Sequence, residues 1–267
     1  MAASPPRPER LPVTVWLCPD GALAPPLADE LALHWFDRDE RAAEERLLFD
    51  EDRRRHRVAR ALVRRGLALE TGIPEAELAL ARSPLGRPHL LPPRGGLPRG
   101  GPHLDFNLSH TDGFCVLAVT RRGRVGVDVE RLTRATGRPR DTEVLAAAFA
   151  PEERNWLRTL EEGRPRARMA LRLWTLKEAY VKARGIGLAQ PLDSFAFTLD
   201  DAGRVVGFRP PEDDLADRWR FLGFEAGPDA LVAVAVQPDG PEEGEQAVLL
   251  HHGFPWRRGP ARTLRCD

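Results

Sequence analysis

The stretch "LDFNLSHTDGFCVLAVTRRGRVGVDVERL" (104–132) constrains the fold of this chain most strongly. It divides into a strand at 104–108, a turn around Thr111, Asp112 and Gly113, a strand at 114–120, a tight turn at Arg121 to Gly123, and a strand at 124–130. Strands joined by links this short pair antiparallel, so the stretch predicts a meander. Its last strand, "VGVDVE", alternates Val125, Val127 and Val129 with Gly126, Asp128 and Glu130. Period-2 geometry then puts three valines on one face and two carboxylates on the other, about 7 Å apart along the backbone.

Around this stretch the chain alternates between helical and extended patterns. "LPVTVWLC" (11–18) predicts a strand. Leu27 to Trp35 and Glu44 to Thr71 predict helices, the second ended by Gly72. Pro and Gly mark 83–103 as a loop with room for a short strand at Arg87 to Leu90. Residues 142–160 predict helix, with Pro151 opening a second segment. Met169, Leu173, Leu176 and Tyr180 recur at helical spacing within 166–184, and Gly185 ends that helix. "SFAFTLD" (194–200), "RWRFLGFEA" (218–226) and "ALVAVAVQ" (230–237) supply further strands. Helix followed by strands thus occurs twice, dividing the chain into 1–125 and 126–237. Residues 1–10 read as disordered and 238–267 as a peripheral tail.

Composition removes several classes of function. Net charge is zero, so no overall field draws nucleic acid or membrane. No apolar run approaches the roughly 18 residues of a membrane span, and the charged, proline-bearing N-terminus is unlike a signal peptide. Cys18, Cys115 and Cys266 lie far apart, without disulfide or zinc spacing, which predicts a reduced, cytoplasmic setting.

Arginine supplies nearly all positive charge; the two lysines, Lys177 and Lys182, both fall in "WTLKEAYVKARG" (174–185). A chain that writes Arg almost everywhere keeps Lys where a compact ammonium is needed rather than a planar fork. Glu178 and Lys182 are four apart and share a helix face; in isolation such a pair is an ordinary surface ion pair. Lys177 falls on a different face, where its stem packs and its head meets a carboxylate or carbonyl. Asp128 and Glu130 repel each other unless solvated or bridged by a hard divalent cation. Ser109 and His110 end a strand and point to opposite faces, so they are no catalytic dyad; His110 suits a phosphate or ribose contact, or a loop histidine satisfied by backbone. "RRRHR" (53–57) reads as a solvated helix face or an anion contact, and Arg87 as a loop cation able to meet a phosphate. There is no P-loop, "GIG" at 185–187 follows a helix rather than a strand, and His251-His252 is too isolated for a metal site. Acids, surrounding cations and no nucleophilic triad point to diphosphate chemistry run by positioning and charge neutralisation.

"FNLSH", "GVDVE" and "WTLKEAYVKARGIGL", in this order, resemble the signature blocks of the Sfp-type 4′-phosphopantetheinyl transferases. "SPLGRPHL" resembles the G-[KR]-P segment before them, and "FDEDRRRHRVARALVRRGLALETGI" the N-terminal helix; the similarity spans roughly 40–200. The resemblance implies an α/β (α+β) pseudo-dimer of two similar subdomains, each a helix packed on a small antiparallel sheet. It implies a monomer that moves the phosphopantetheine arm of coenzyme A to a serine of an apo acyl or peptidyl carrier protein, in fatty-acid, polyketide or nonribosomal synthesis, releasing adenosine 3′,5′-bisphosphate. Asp128, Glu130 and Glu178 look like Mg²⁺ ligands with oxygens converging on one point. Glu178, Lys182 and Asp128 look catalytic, with Lys182 on the diphosphate. Ser109, His110, Arg87 and Arg55 resemble contacts to coenzyme A. Arg140, Phe149 and Trp156 are candidate carrier contacts. Two other readings stay open: a non-catalytic carrier- or nucleotide-binding module of the same fold, and a Mg²⁺-dependent phosphohydrolase.

Overall fold

The computed structural model describes residues 12–91, 93, 104–132, 139–227, 230–239 and 246–266. The N-terminal segment expected to be disordered and most of the second half of the Pro/Gly loop lie outside them. In chain order the elements are β1 (Val13–Pro19), α1 (Pro25–Trp35), α2 (Arg38–Glu45), α3 (Asp50–Thr71), β2 (Leu80–Arg82), β3 (Pro88–Leu90), β4 (Asp105–Thr111), β5 (Phe114–Thr120) and β6 (Arg124–Arg131). There follow α4 (Pro139–Ala147), α5 (Pro151–Thr159), α6 (Arg164–Arg184), β7 (Ala196–Leu199), β8 (Val205–Arg209), β9 (Arg220–Glu225), β10 (Ala230–Gln237), β11 (Ala247–His252) and β12 (Arg262–Arg265).

Two sheets stack between helices. One has the order β12-β11-β1-β5-β4, the other β6-β10-β9. Period 2 sorts their side chains into layers. Trp16, Cys18, Leu117 and Val119 face Val58, Leu62 and Leu67 of α3. The alternate residues Val13, Val15, Val116 and Ala118 meet Val125, Val127, Val129, Val232 and Val234 from the second sheet. The far face of that sheet, with Ala233 and Ala235, packs on Leu173, Leu176 and Tyr180 of α6. The order is helix, sheet, sheet, helix: two similar halves, each a helix on a small sheet, back to back through β-branched side chains.

Five expectations need correction. The helix expected at 44–71 is two helices. Asp37 and Glu40 form a reciprocal capping box that starts α2, and Asp50, Glu51 and Asp52 favour a fresh N-terminus at α3. The meander is a hairpin only: β4 pairs with β5, whereas β6 pairs with β10 throughout, from Arg124 to Arg131. The division at 125/126 therefore falls inside β6. The tail is not peripheral, because β11 lies between β12 and β1 in the first sheet, with Val248 and Leu250 buried. His251 stacks on its register partner Trp16, ring centroids 4.1 Å apart. The β1–β11 pair is parallel, so that sheet is mixed rather than antiparallel. The alternating apolar residues of "AVLLHH" carried the signal, obscured by the polar sequence on either side.

Side chains join β4 to β6 where no ladder runs. Asp105, Asn107 and Ser109 lie on one face of β4. Their oxygens accept the backbone N–H groups of Val125 at 2.8 Å, Val127 at 2.9 Å and Val129 at 3.4 Å. Three buried donors that would otherwise be orphaned are satisfied in this way.

Candidate diphosphate and metal site

The site forms where β6, α6 and the end of β4 meet. Gly126 allows it. A Cβ there would lie 2.0 Å from the Ala179 carbonyl oxygen and 2.5 Å from the Ala183 nitrogen, so only glycine lets α6 descend onto β6. Two residues along the same face, Asp128 lies beneath Lys182 of α6. Lys182 Nζ donates to Asp128 Oδ1 at 2.6 Å and to Ser109 Oγ at 3.0 Å. Ser109 Oγ in turn donates to Asp128 Oδ1 at 2.8 Å. Asp128 is 4% exposed, and its Oδ2 is buried without a hydrogen-bond partner. Burial, then the charges of Asp128 and Glu130, push the Glu178 carboxyl above its ordinary range, with Lys182 opposing them.

The three carboxylates thus interact electrostatically, but they do not form the assembled ion cage expected of them. Among the described residues no group of three or more His, Cys, Asp or Glu is arranged to hold a metal ion. Without a cation between them like charges repel, and the Lys182 ammonium neutralises Asp128 instead. The donor chemistry still fits a hard divalent cation: every candidate ligand is a carboxylate oxygen, and Asp128 Oδ2 needs a partner.

Arg87 sits behind this centre. Its guanidinium donates to Asp105 Oδ2 at 2.6 Å, to the Val125 carbonyl at 2.8 Å and to the Lys182 carbonyl. It therefore ties β4, β6 and the end of α6 together, and it also lines a groove with Arg124 and Arg184. His110 is on the other side of β4, exposed near Arg55. Partial desolvation, then Arg55, Lys182 and Arg60, hold its pKa below the usual histidine value. Arg55 pairs with Asp112 at 2.9 Å. The structure thus gathers Asp128, Glu178, Lys182 and Ser109, with Arg87 behind them and Arg55 with His110 beside them.

Sequence reasoning missed four contributors. Asp105 and Asn107 were legible as the period-2 companions of Ser109 in "LDFNLSH". Arg60, whose buried Nε has no partner, stayed hidden because arginine is so common in this chain. Glu153 gave no signal; it receives Lys177 at 2.7 Å, both side chains 0% exposed. Lys177 also donates to the carbonyls of Leu192 and Phe195, each at 2.7 Å. Of the expected carrier contacts, Phe149 is fully buried against α6, because the turn before α5 folds it into the core, so it cannot be a surface contact. Trp156 is half-buried beside a groove, and the Arg140 side chain lies outside the described residues.

Two family models match the chain. Residues 26–122 match the model of the 4′-phosphopantetheinyl transferase N-terminal family, and 124–235 that of the 4′-phosphopantetheinyl transferase superfamily. The 4′-phosphopantetheinyl transferase HetI of Nostoc sp. is 32% identical over 199 residues, 74% of this chain and 77% of that protein. The chain belongs to the 4′-phosphopantetheinyl transferase family. Another relative is the phosphopantetheinyl transferase of Thraustochytrium sp., 31% identical over 176 residues, which are 63% of this chain but only 59% of that longer protein. The 4′-phosphopantetheinyl transferase of Bacillus subtilis is 28% identical over 160 residues, 60% of this chain and 65% of its own length. The superfamily match opens at the first residue of β6 and contains Asp128, Glu130, Glu178 and Lys182; the N-terminal match contains Arg55, Arg87, Ser109 and His110. Among the described residues no helix is long and apolar enough to cross a membrane.

Proposed function

We propose that this chain transfers the 4′-phosphopantetheine arm of coenzyme A to a serine of an apo acyl or peptidyl carrier protein, leaving adenosine 3′,5′-bisphosphate. The observation that carries this reading is the Lys182–Asp128–Ser109 cluster beside Glu178, in a chain of this family.

Each residue has a part in that reaction. The Lys182 ammonium is held at a fixed point by Ser109 and Asp128 and neutralises diphosphate charge as it grows on the leaving group. A point charge suits that place better than a guanidinium, which accounts for lysine in an arginine-writing chain. The carrier serine attacks the β-phosphorus in line. Glu178, its basicity increased by burial and by neighbouring carboxylates, takes the serine proton. His110 and Arg55 receive the 3′-phosphate end of the coenzyme. Arg87 fixes the end of α6 behind Lys182. Asp128, Glu130 and Glu178 would hold Mg²⁺, whose contribution when bound is neutralisation of diphosphate oxygens.

The test is the mass of an apo carrier incubated with this chain, coenzyme A and Mg²⁺. Transfer adds about 340 Da to the serine, a covalent modification. Asp128→Ala should abolish the shift. A wild-type chain that binds carrier or coenzyme without any shift would instead be a binding module. Release of bisphosphate with no carrier present would make it a phosphohydrolase.

A further inference from the structure

Ser109 and His110 are neighbours in β4, but strand alternation sends them to different places. His110 is exposed on the side of Arg55, whereas Ser109 is 6% exposed and faces β6 with Asp105 and Asn107. A hydroxyl has one proton to give and two lone pairs with which to accept. All three are taken at Ser109 Oγ. The Lys182 ammonium can only donate, so it fills one lone pair, at 3.0 Å. The Val129 N–H approaches the other, at 3.4 Å. The hydroxyl proton then goes to Asp128 Oδ1 at 2.8 Å, because an ionised carboxylate can only accept. Nothing is left over for a phosphate oxygen.

The two oxygens of Asp128 are thereby given different tasks. A carboxylate turns easily about its last bond. Oδ1 is held by two donors, Ser109 and Lys182, while Oδ2 stays buried without a partner. The two donors differ in how firmly they hold. Lys182 reaches Oδ1 on a long, flexible stem, and its side chain is 29% exposed, so it can swing toward a diphosphate. The Ser109 hydroxyl hangs by one rotatable bond from a buried strand position and has no such freedom. When Lys182 turns to the diphosphate, Ser109 is the partner that still fixes the carboxylate.

We infer that Ser109 is a positioning residue for the metal carboxylate: it holds Asp128 Oδ1, leaves Oδ2 to a hard divalent cation, and does not contact coenzyme A. The inference deepens the transferase reading above and rests on its metal assignment. It also parts Ser109 from His110, which their shared motif places together on the coenzyme. Removing a group that orients a metal ligand costs about ten- to a hundredfold in metal affinity, so the effect is large enough to read.

Mn²⁺ is the probe, because it takes the same oxygen donors as Mg²⁺ and its free form is read by electron paramagnetic resonance. Ser109→Ala should weaken Mn²⁺ binding about tenfold or more. Ser109→Thr keeps the hydroxyl and should restore affinity close to wild type. Asn107→Ala removes a similar bond to β6, but its Oδ1 serves Val127 rather than Asp128, so Mn²⁺ affinity should stay near wild type. Coenzyme A affinity without metal, measured by calorimetry, should change less in Ser109→Ala than Mn²⁺ affinity does. Should Ser109→Ala fail to fold, Ser109→Cys, similar in size with a weaker donor, should show a smaller loss of Mn²⁺ affinity. Unchanged Mn²⁺ affinity in the serine variants overturns the inference. An equal loss in Asn107→Ala also overturns it, tracing the effect to the joining of the strands. So does a loss of coenzyme affinity as great as that of Mn²⁺ affinity, which would make Ser109 a coenzyme contact. A wild-type chain that binds no Mn²⁺ overturns it together with the metal assignment. Wild-type carrier mass with coenzyme A and Mg²⁺ is read alongside: a mass shift beside any of these results leaves the transferase reading standing, and only its absence overturns that reading.

Discussion

Lys177 and Glu153 form an ion pair of 2.7 Å with neither side chain exposed, joining the middle of α6 to the first turn of α5. Every polar atom of the pair is occupied: Glu153 accepts from the backbone of Ala150 at 2.9 Å and of Phe197 at 2.8 Å, and Lys177 reaches two carbonyls besides. The ammonium also lies 4.3 Å from the centroid of the Phe195 ring. Burial lowers the Lys177 pKa to about 8 and raises that of Glu153. This position, too, needs lysine: a guanidinium is wider than the space between two carbonyls, a carboxylate and an aromatic ring.

Lys177→Met should therefore destabilise the fold by about 3–5 kcal/mol, because it strands a buried carboxylate. The double variant Lys177→Met, Glu153→Met should recover most of that loss, since it removes both charges together. Urea unfolding midpoints of the two variants against wild type measure the difference; a double variant no more stable than the single one would contradict the explanation.

Gly126→Ala should lower stability by about 3 kcal/mol, the upper range for overpacking. Its new methyl meets backbone rather than a side chain able to swing away. The loss should appear in the thermal midpoint, and activity per folded molecule should fall with it, because α6 carries Glu178 and Lys182.

Lys182→Arg should leave the unfolding midpoint near wild type, since the side chain is part-exposed, and lower turnover about 100-fold, the scale of losing one preorganised electrostatic contact. Carrier modification rates at saturating coenzyme A provide the measurement. Wild-type turnover would show that a guanidinium serves the diphosphate as well as an ammonium does.

His56 supplies a pH test. Burial, then Arg60, holds its pKa below 6.5, while Glu40, Glu44 and His110 also face it. Above pH 6.5 both folded and unfolded forms are neutral and the group has no effect. As pH falls below that value the unfolded chain takes the proton first, and stability drops. Wild type minus His56→Gln stability should therefore decline between about pH 7 and 5, read from urea midpoints. A flat difference would show that His56 is protonated equally in both states.

Much of this was legible in the sequence because it depends on local pattern. Alternating valines fixed which face of β6 carries Asp128, and the apolar spacing of 166–184 fixed the inner face of α6. The G-D-E strand and K-E-x-x-x-K helix then brought the candidate residues close. What escaped depends on distant partners. Nothing local to "AVLLHH" says that it will lie parallel beside β1. Nothing in "GRVGVDVER" says that its ladder partner lies a hundred residues later in β10 rather than in the adjacent β5. Lys182 and Asp128 were expected to meet a metal and a phosphate rather than each other; a sequence names the charges but not which of them bond when no cation intervenes.

The Asp105, Asn107 and Ser109 bridge to β6 has a consequence for how such a chain can vary. An ordinary ladder is made of backbone and survives substitution; this seam is written in side chains and can be edited letter by letter. Replacing Asn107 alone removes one rung at the boundary between the two halves and leaves both sheets whole. Part of the junction between the halves is therefore encoded at three alternating positions, one of which, Ser109, also touches the lysine. The same few letters answer to the joining of the halves and to chemistry at once, so neither demand can drift without the other.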